Sequence, residues 1–273
     1  MSDDLDSLIS CCFYSYLTGY PIGYFYDFKT MSGIDPKDTR ERIYIDIAVR
    51  YGKCIDNHVQ RFTLKSKVNN EAINFNSIYE IWRGNYYEKF AMSTLIMLYA
   101  TYQSEIPLPK SEEGKMIILA IDSGYLGFYD NRYKEAFTHN LKELGLDELL
   151  EVLENHTLEE FNRLSNNLKT KIGEKIVRQE YTGELSFEYS TLRLEQVDRL
   201  LNTISNELGF PIVIPKAEFE EIQQFTLKYV NPDEVDDLME DEKVMSFAFT
   251  GRDKVAVSYI HKRDMERMKK TGA

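Results

Sequence analysis

The 273-residue chain predicts an α/β fold, with a sheet flanked by helices over residues 1–155, a helical connector over 156–208 and a small α+β domain over 209–273. Three observations carry this reading. Short apolar runs rich in β-branched residues, Ile43–Val49 and the strand beginning at Cys54, read as buried strands. Stretches of helical periodicity precede and follow them. Near the end, Val244–Phe249 and Lys254–Ile260 alternate about Thr250-Gly251-Arg252-Asp253, which is a hairpin signal.

Taken in order, Leu5, Leu8, Ile9, Cys12, Phe13 and Tyr16 recur at helical spacing, and Gly19 with Pro21 ends that helix. Ile22–Phe28 reads as an aromatic strand, and Met31–Arg40, with Gly33, Asp35 and Pro36, as a loop. The strand Ile43–Val49 carries one acid, Asp46, which is costly to bury without a partner. Lys89–Tyr102 is apolar nearly all round and predicts a central helix; Ser111-Glu112-Glu113-Gly114 starts another, which runs to Asp122. Tyr133–Leu144, Asp147–Glu154 and Leu158–Gln179 are amphipathic, the last opened by a capping box at Thr157-Leu158-Glu159-Glu160. Leu192–Leu208 adds a helix, Gly209–Pro215 a strand or linker, and Lys262–Lys270 a basic terminal helix.

Charge and cysteine usage narrow the function classes. With 33 Lys and Arg against 45 Asp and Glu, the net charge of -12 argues against broad binding to duplex DNA. Cys11 and Cys12 are adjacent and Cys54 makes the count odd, which points to reduced thiols and a cytoplasmic setting; the first two read as small helix residues, not ligands. The first residues lack the pattern of a signal peptide, and no apolar run is long enough to span a bilayer, so no membrane association is expected.

Several acids sit on apolar elements. Asp4 and Asp6 precede a helix, where they serve either as an acidic cap or as two oxygen donors for one hard cation. Asp46 lies in a strand, Asp56-Asn57-His58 follows a second strand, and Asp122 ends a hydrophobic helix. Together they would suit Mn²⁺ or Mg²⁺ at a sheet edge.

This ordered set resembles the DHH phosphoesterase family, which includes exonucleases of the RecJ type and oligoribonucleases. Asp4-Leu5-Asp6-Ser7-Leu8-Ile9-Ser10 is similar to its first motif, Asp46 to its second, Asp56-Asn57-His58 to its Asp-His-His triplet, and Ala120-Ile121-Asp122-Ser123 to its fourth. The resemblance spans residues 2 to about 125. Asn57 replaces a histidine ligand, and Asp46 and Asp56 stand only ten residues apart. The resemblance implies an α/β domain over 1–155 with a mainly parallel sheet flanked by helices. It also implies Mn²⁺- or Mg²⁺-dependent hydrolysis of a nucleotide or short oligonucleotide phosphoester. Asp4, Asp6, Asp46, Asp122 and Asn57 would be the metal ligands, and His58 and Asp56 the catalytic residues. Lys53, Arg83 and Arg252 are the candidate substrate-binding cations. Two alternatives stand beside this: a degenerate member that binds a nucleotide or protein partner without turnover, favoured by Asn57, and a haloacid-dehalogenase-like loop with Asp4 as nucleophile.

Overall fold

The computed structural model describes residues 1–235 and 238–261. In chain order these form α1 (Leu5–Thr18), β1 (Tyr24–Tyr26), β2 (Thr30–Gly33), β3 (Tyr44–Ile45), β4 (Cys54–Ile55), β5 (Ala72–Ile73), α2 (Phe75–Ile78), α3 (Thr94–Thr101), α4 (Glu112–Ala120), α5 (Leu126–Tyr129), α6 (Lys134–Glu143), α7 (Asp147–Asn155), α8 (Leu158–Ile172), β6 (Lys175–Arg178), β7 (Leu185–Glu188), α9 (Leu194–Leu208), β8 (Glu220–Val230), β9 (Val244–Gly251) and β10 (Lys254–Ile260). Tight 3-10 turns lie at Arg83–Glu88 and Ile121–Ser123. Contacts sort the chain into a sheet unit, made of Met1–Ser2, Gly23–Tyr86 and the stretch from Phe219 on, and a helical unit, made of Asp3–Ile22 and Tyr87–Glu218.

The sheet unit corrects the expected fold. Its main sheet is antiparallel and five-stranded, in the order β1-β2-β8-β10-β9. Parallel pairing is confined to β3, β4 and β5, each two residues long. The reason lies in the backbone. The run Ile43–Val49 stops being a strand after Ile45 because Asp46 turns to φ +60, a left-handed conformation that ends a ladder. The long strands β8, β9 and β10 carry the hydrogen-bonding groups that must be paired. β8 gives its first half to β2, with Thr30 opposite Gln224 and Gly33 opposite Glu220, and its second half to β10. The strands after residue 219 therefore continue the sheet of β1 and β2 and do not close a small α+β domain of their own. Tyr26, Met31, Ile47, Val49, Cys54 and Phe225 form a buried cluster in this unit, and the Tyr26 hydroxyl lies 2.9 Å from Ser246 Oγ.

In the helical unit the sequence signals hold more closely. α1 starts at the Asp4 cap and ends at Gly19, whose φ of +77 supplies the left-handed C-cap. Within α3, Leu95, Ile96, Met97, Leu98 and Tyr99 are fully buried, each contributing about 1.5–3 kcal/mol of apolar burial. That helix packs on α1 through Phe13 and Tyr99, whose rings meet edge-on at 5.0 Å. The capping box at Thr157 and Glu160 opens α8 as predicted. α8 stops at Ile172, short of the expected Gln179, because Gly173 adopts φ +116 and turns the chain into the β6–β7 hairpin. Lys262–Lys270, read as a terminal helix, lies outside the described residues. Among the described residues no helix is long and apolar enough to cross a membrane.

Candidate functional site

The acids singled out in the sequence fall in both units, and each group has its own geometry. In the helical unit, Asp4, Asp6 and Asp122 line one cavity of about 300 Å³, together with Glu174, Lys169 and Lys175. Asp4 is the N-cap of α1 and accepts the Ser7 N–H at 2.9 Å. Asp6 stands in the first turn and is buried. One of its oxygens accepts the Thr94 N–H at 2.8 Å; the other accepts the Leu95 N–H at 3.0 Å and the Ser10 hydroxyl at 3.1 Å. It thus serves the open N-terminus of α3, where unpaired N–H groups and the helix dipole favour an anion. Asp122 is exposed and lies in the turn after α4 at φ +52, which aspartate tolerates better than most residues.

The electrostatics of this cavity are those of crowded anions. Burial, then the neighbouring carboxylates of Asp122 and Asp4, push the Asp6 carboxyl up to about 8, against the downward pull of the Thr94 and Leu95 N–H groups. Burial pushes the Lys89 ammonium down, and attraction to Asp122 partly restores it. Two lysines, Lys169 and Lys175, lie on the cavity wall. Lys169, in the last turn of α8, places Nζ 3.5 Å from Ser123 Oγ. Lys175, at the start of β6, pairs with the buried carboxylate of Asp3 at 2.5 Å, and the Ile176 N–H donates to the Asp3 carbonyl at 2.9 Å.

In the sheet unit, β4 delivers Asp56 to a fully buried position. Its Oδ1 accepts the His58 N–H at 2.7 Å and stands 3.0 Å from His58 Nδ1; its Oδ2 accepts the Asn74 side-chain amide at 3.1 Å. A carboxylate can only accept, so it fixes the proton of a neutral His58 ring on Nδ1 and leaves the lone pair on Nε2. The His58 side chain is 39% exposed. Asn74 is itself fixed as the N-cap of α2, accepting the Ser77 N–H at 2.9 Å. Asn57 takes part through its backbone carbonyl, which accepts from the Asn76 side chain. Asp46 sits at the end of β3, 5% exposed, with the Ser2 hydroxyl 3.4 Å from its Oδ2 and its N–H donated to Ile55 at 2.8 Å.

The three cations named from the sequence also lie in the sheet unit. Lys53 pairs at the surface with Glu41 at 2.7 Å. Arg83 forms ion pairs with Asp233 and with Asp253, the latter at 2.7 Å. Arg252 is exposed in the turn between β9 and β10. Sequence reasoning missed Lys169, Lys175 and Asn74. Only the Gly173 break after a helix hinted that the chain turns back there.

A hard divalent cation fits the donor chemistry of the helical cavity, because oxygen ligands crowd there at a cost that a cation would relieve. Among the described residues no three His, Cys, Asp or Glu side chains already form a metal cage. Mg²⁺-type sites commonly use one or two carboxylates and complete the shell with water and substrate phosphate. Comparisons with protein-family models, curated proteins and solved structures returned no match.

Proposed function

We propose that the chain is a divalent-cation-dependent phosphoesterase acting on a nucleotide or short oligonucleotide. The observation that carries this is the meeting of Asp4, Asp6 and Asp122 on one cavity wall with Lys169 and Lys175 in the same lining. Asp4 and Asp122 would hold Mn²⁺ or Mg²⁺, with Asp6 behind them anchored to α3. The chemistry such a cation supplies is Lewis acidity and a lowered pKa for water. The chain's own part is to orient and to neutralise: the lysines offset phosphate charge, and the α3 N-terminus holds Asp6 in place.

Purified protein should hydrolyse bis-p-nitrophenyl phosphate in Mn²⁺, with the activity lost in Asp4→Asn plus Asp122→Asn while the fold is kept. Asparagine suits both the cap and the left-handed turn. Undiminished Mn²⁺-dependent turnover in that double variant removes the assignment. A second reading, a binding module without turnover, is favoured by one observation: both oxygens of Asp6 already accept hydrogen bonds. That reading predicts nucleotide binding with no Mn²⁺-dependent hydrolysis.

A further inference from the structure

We propose that the sheet unit carries a ligand site of its own, a cavity of about 380 Å³ that takes a small monocarboxylate with an apolar or aromatic body, held by Lys65. This site is independent of the cation-dependent reading of the helical cavity and needs no metal.

The walls of this cavity are tied in place by the chain itself. On one side the Arg61 guanidinium donates to the Leu64 and Ser66 carbonyls, both at 3.2 Å, and Ser66 Oγ accepts the Thr63 N–H at 3.1 Å. On the other, Arg83 donates to both carboxylate oxygens of Asp233, on the loop after β8, and to Asp253 in the turn between β9 and β10. Arg83 is thereby engaged in the frame. Lys65 is not: it is exposed, lines the cavity and pairs with no carboxylate among the described residues. The Nε–H of Arg61 is shut off from solvent and has no acceptor. Arg61, Lys65 and Arg83 thus stand against two carboxylates, Asp233 and Asp253, and one positive charge is left uncompensated in a chain whose net charge is -12. That balance favours a monoanion, because the second charge of a dianion would be brought against Asp233, which also lines the cavity. Phe62, Pro232 and Val235 supply the apolar wall, and the Thr63 and Ser66 hydroxyls the polar one. Phe62 is itself held against Phe249, with ring centroids 5.1 Å apart. A concave, preformed space with apolar walls and a few polar contacts is the usual design of small-ligand sites, and a volume of about 380 Å³ lies at their smaller end.

The test is calorimetric titration of the full chain, in EDTA, with benzoate, benzamide and phenyl phosphate. Benzoate is expected to bind in the millimolar range of a ligand this small. It should bind about tenfold more tightly than neutral benzamide, the worth of one charge-assisted contact, and more tightly than phenyl phosphate. Lys65→Gln, at an exposed position, should lower benzoate affinity about tenfold, to the benzamide level, and Lys65→Arg should keep it. Added benzoate should shift the amide NMR signals of Thr63, Lys65 and Ser66. The inference falls if benzoate does not bind at millimolar concentrations, if benzamide equals it, if Lys65→Gln binds it as tightly as the parent chain, or if binding leaves those amide signals unmoved. Tighter binding of phenyl phosphate than of benzoate overturns the monocarboxylate class. The phosphoester reading is tested separately, by Mn²⁺-dependent turnover, so either can fail without the other.

Discussion

Stability of the helical unit should fall as pH rises from about 4 to about 8, and Asp6 should be the cause. In the folded chain Asp6 keeps its proton up to about 8, whereas its ordinary value is 3.8. Between those values the native state binds more protons than the unfolded state, so the slope of unfolding free energy against pH is negative. The contribution is fully present below the unfolded value and gone once pH passes the folded one. At about 1.4 kcal/mol per tenfold change in proton activity, the whole span amounts to at most about 6 kcal/mol. The measurement is urea unfolding followed by helical circular dichroism across that pH range, with a carboxyl carbon NMR titration assigning the proton to Asp6. Asp122→Asn removes the larger of the two neighbouring charges that raise Asp6 and is compatible with φ +52. The pH at which stability stops falling should therefore drop in that variant. Lys89, pushed down by burial, contributes with the opposite sign, whereas the upper limit of the window is set by Asp6 itself. A flat profile in the parent chain, or an unchanged limit in Asp122→Asn, refutes the picture of crowded carboxylates.

Three further outcomes test the framework around the sites. Asp56→Ala leaves the His58 N–H, the ring Nδ1 and the Asn74 amide without their acceptor, and chemical denaturation should show a loss of about 2–4 kcal/mol. Gly173→Ala places a Cβ 2.6 Å from the Glu188 carbonyl at φ +116; a loss of about 2 kcal/mol or more, and faster proteolysis of the β6–β7 hairpin, is expected. Thr157→Ala deletes one half of the α8 capping box and should cost about 1 kcal/mol in thermal or urea unfolding.

How much was legible in the sequence follows the range of each interaction. Caps and helix starts were readable because their partners lie within four residues: Asp4 with Ser7, Ser111 with Gly114 and Thr157 with Glu160 all formed as their spacing implied. The β9–β10 hairpin was readable for the same reason. The pairing of β2 with β8 left no periodic trace, because an alternating strand looks the same whichever distant edge it joins. A mainly parallel sheet was expected from the family resemblance, and that ambiguity left nothing in the strand pattern to oppose it; the sheet that formed is antiparallel. Asp46 was rightly flagged as an acid that needs a donor at a strand end, and Ser2 supplies one. Its left-handed backbone was invisible, because it depends on the tertiary setting and not on composition. The meeting of Asp6 with Asp122 and the arrival of Lys169 and Lys175 depend on α1 and α8 closing round the turn after α4, so no local spacing announced the lysines.

The central position of β8 between β2 and β10 also constrains biosynthesis. A ribosome releases Thr30–Gly33 long before Glu220–Gln224, the residues that hydrogen-bond to them. The edge of β2 therefore waits, unzipped, while Tyr87–Glu218 emerges as one uninterrupted stretch that can collapse vectorially. Closing the sheet is the late, high-contact-order event of folding. A nascent chain truncated before Phe219 would bare that edge to aggregation, with the helices already formed.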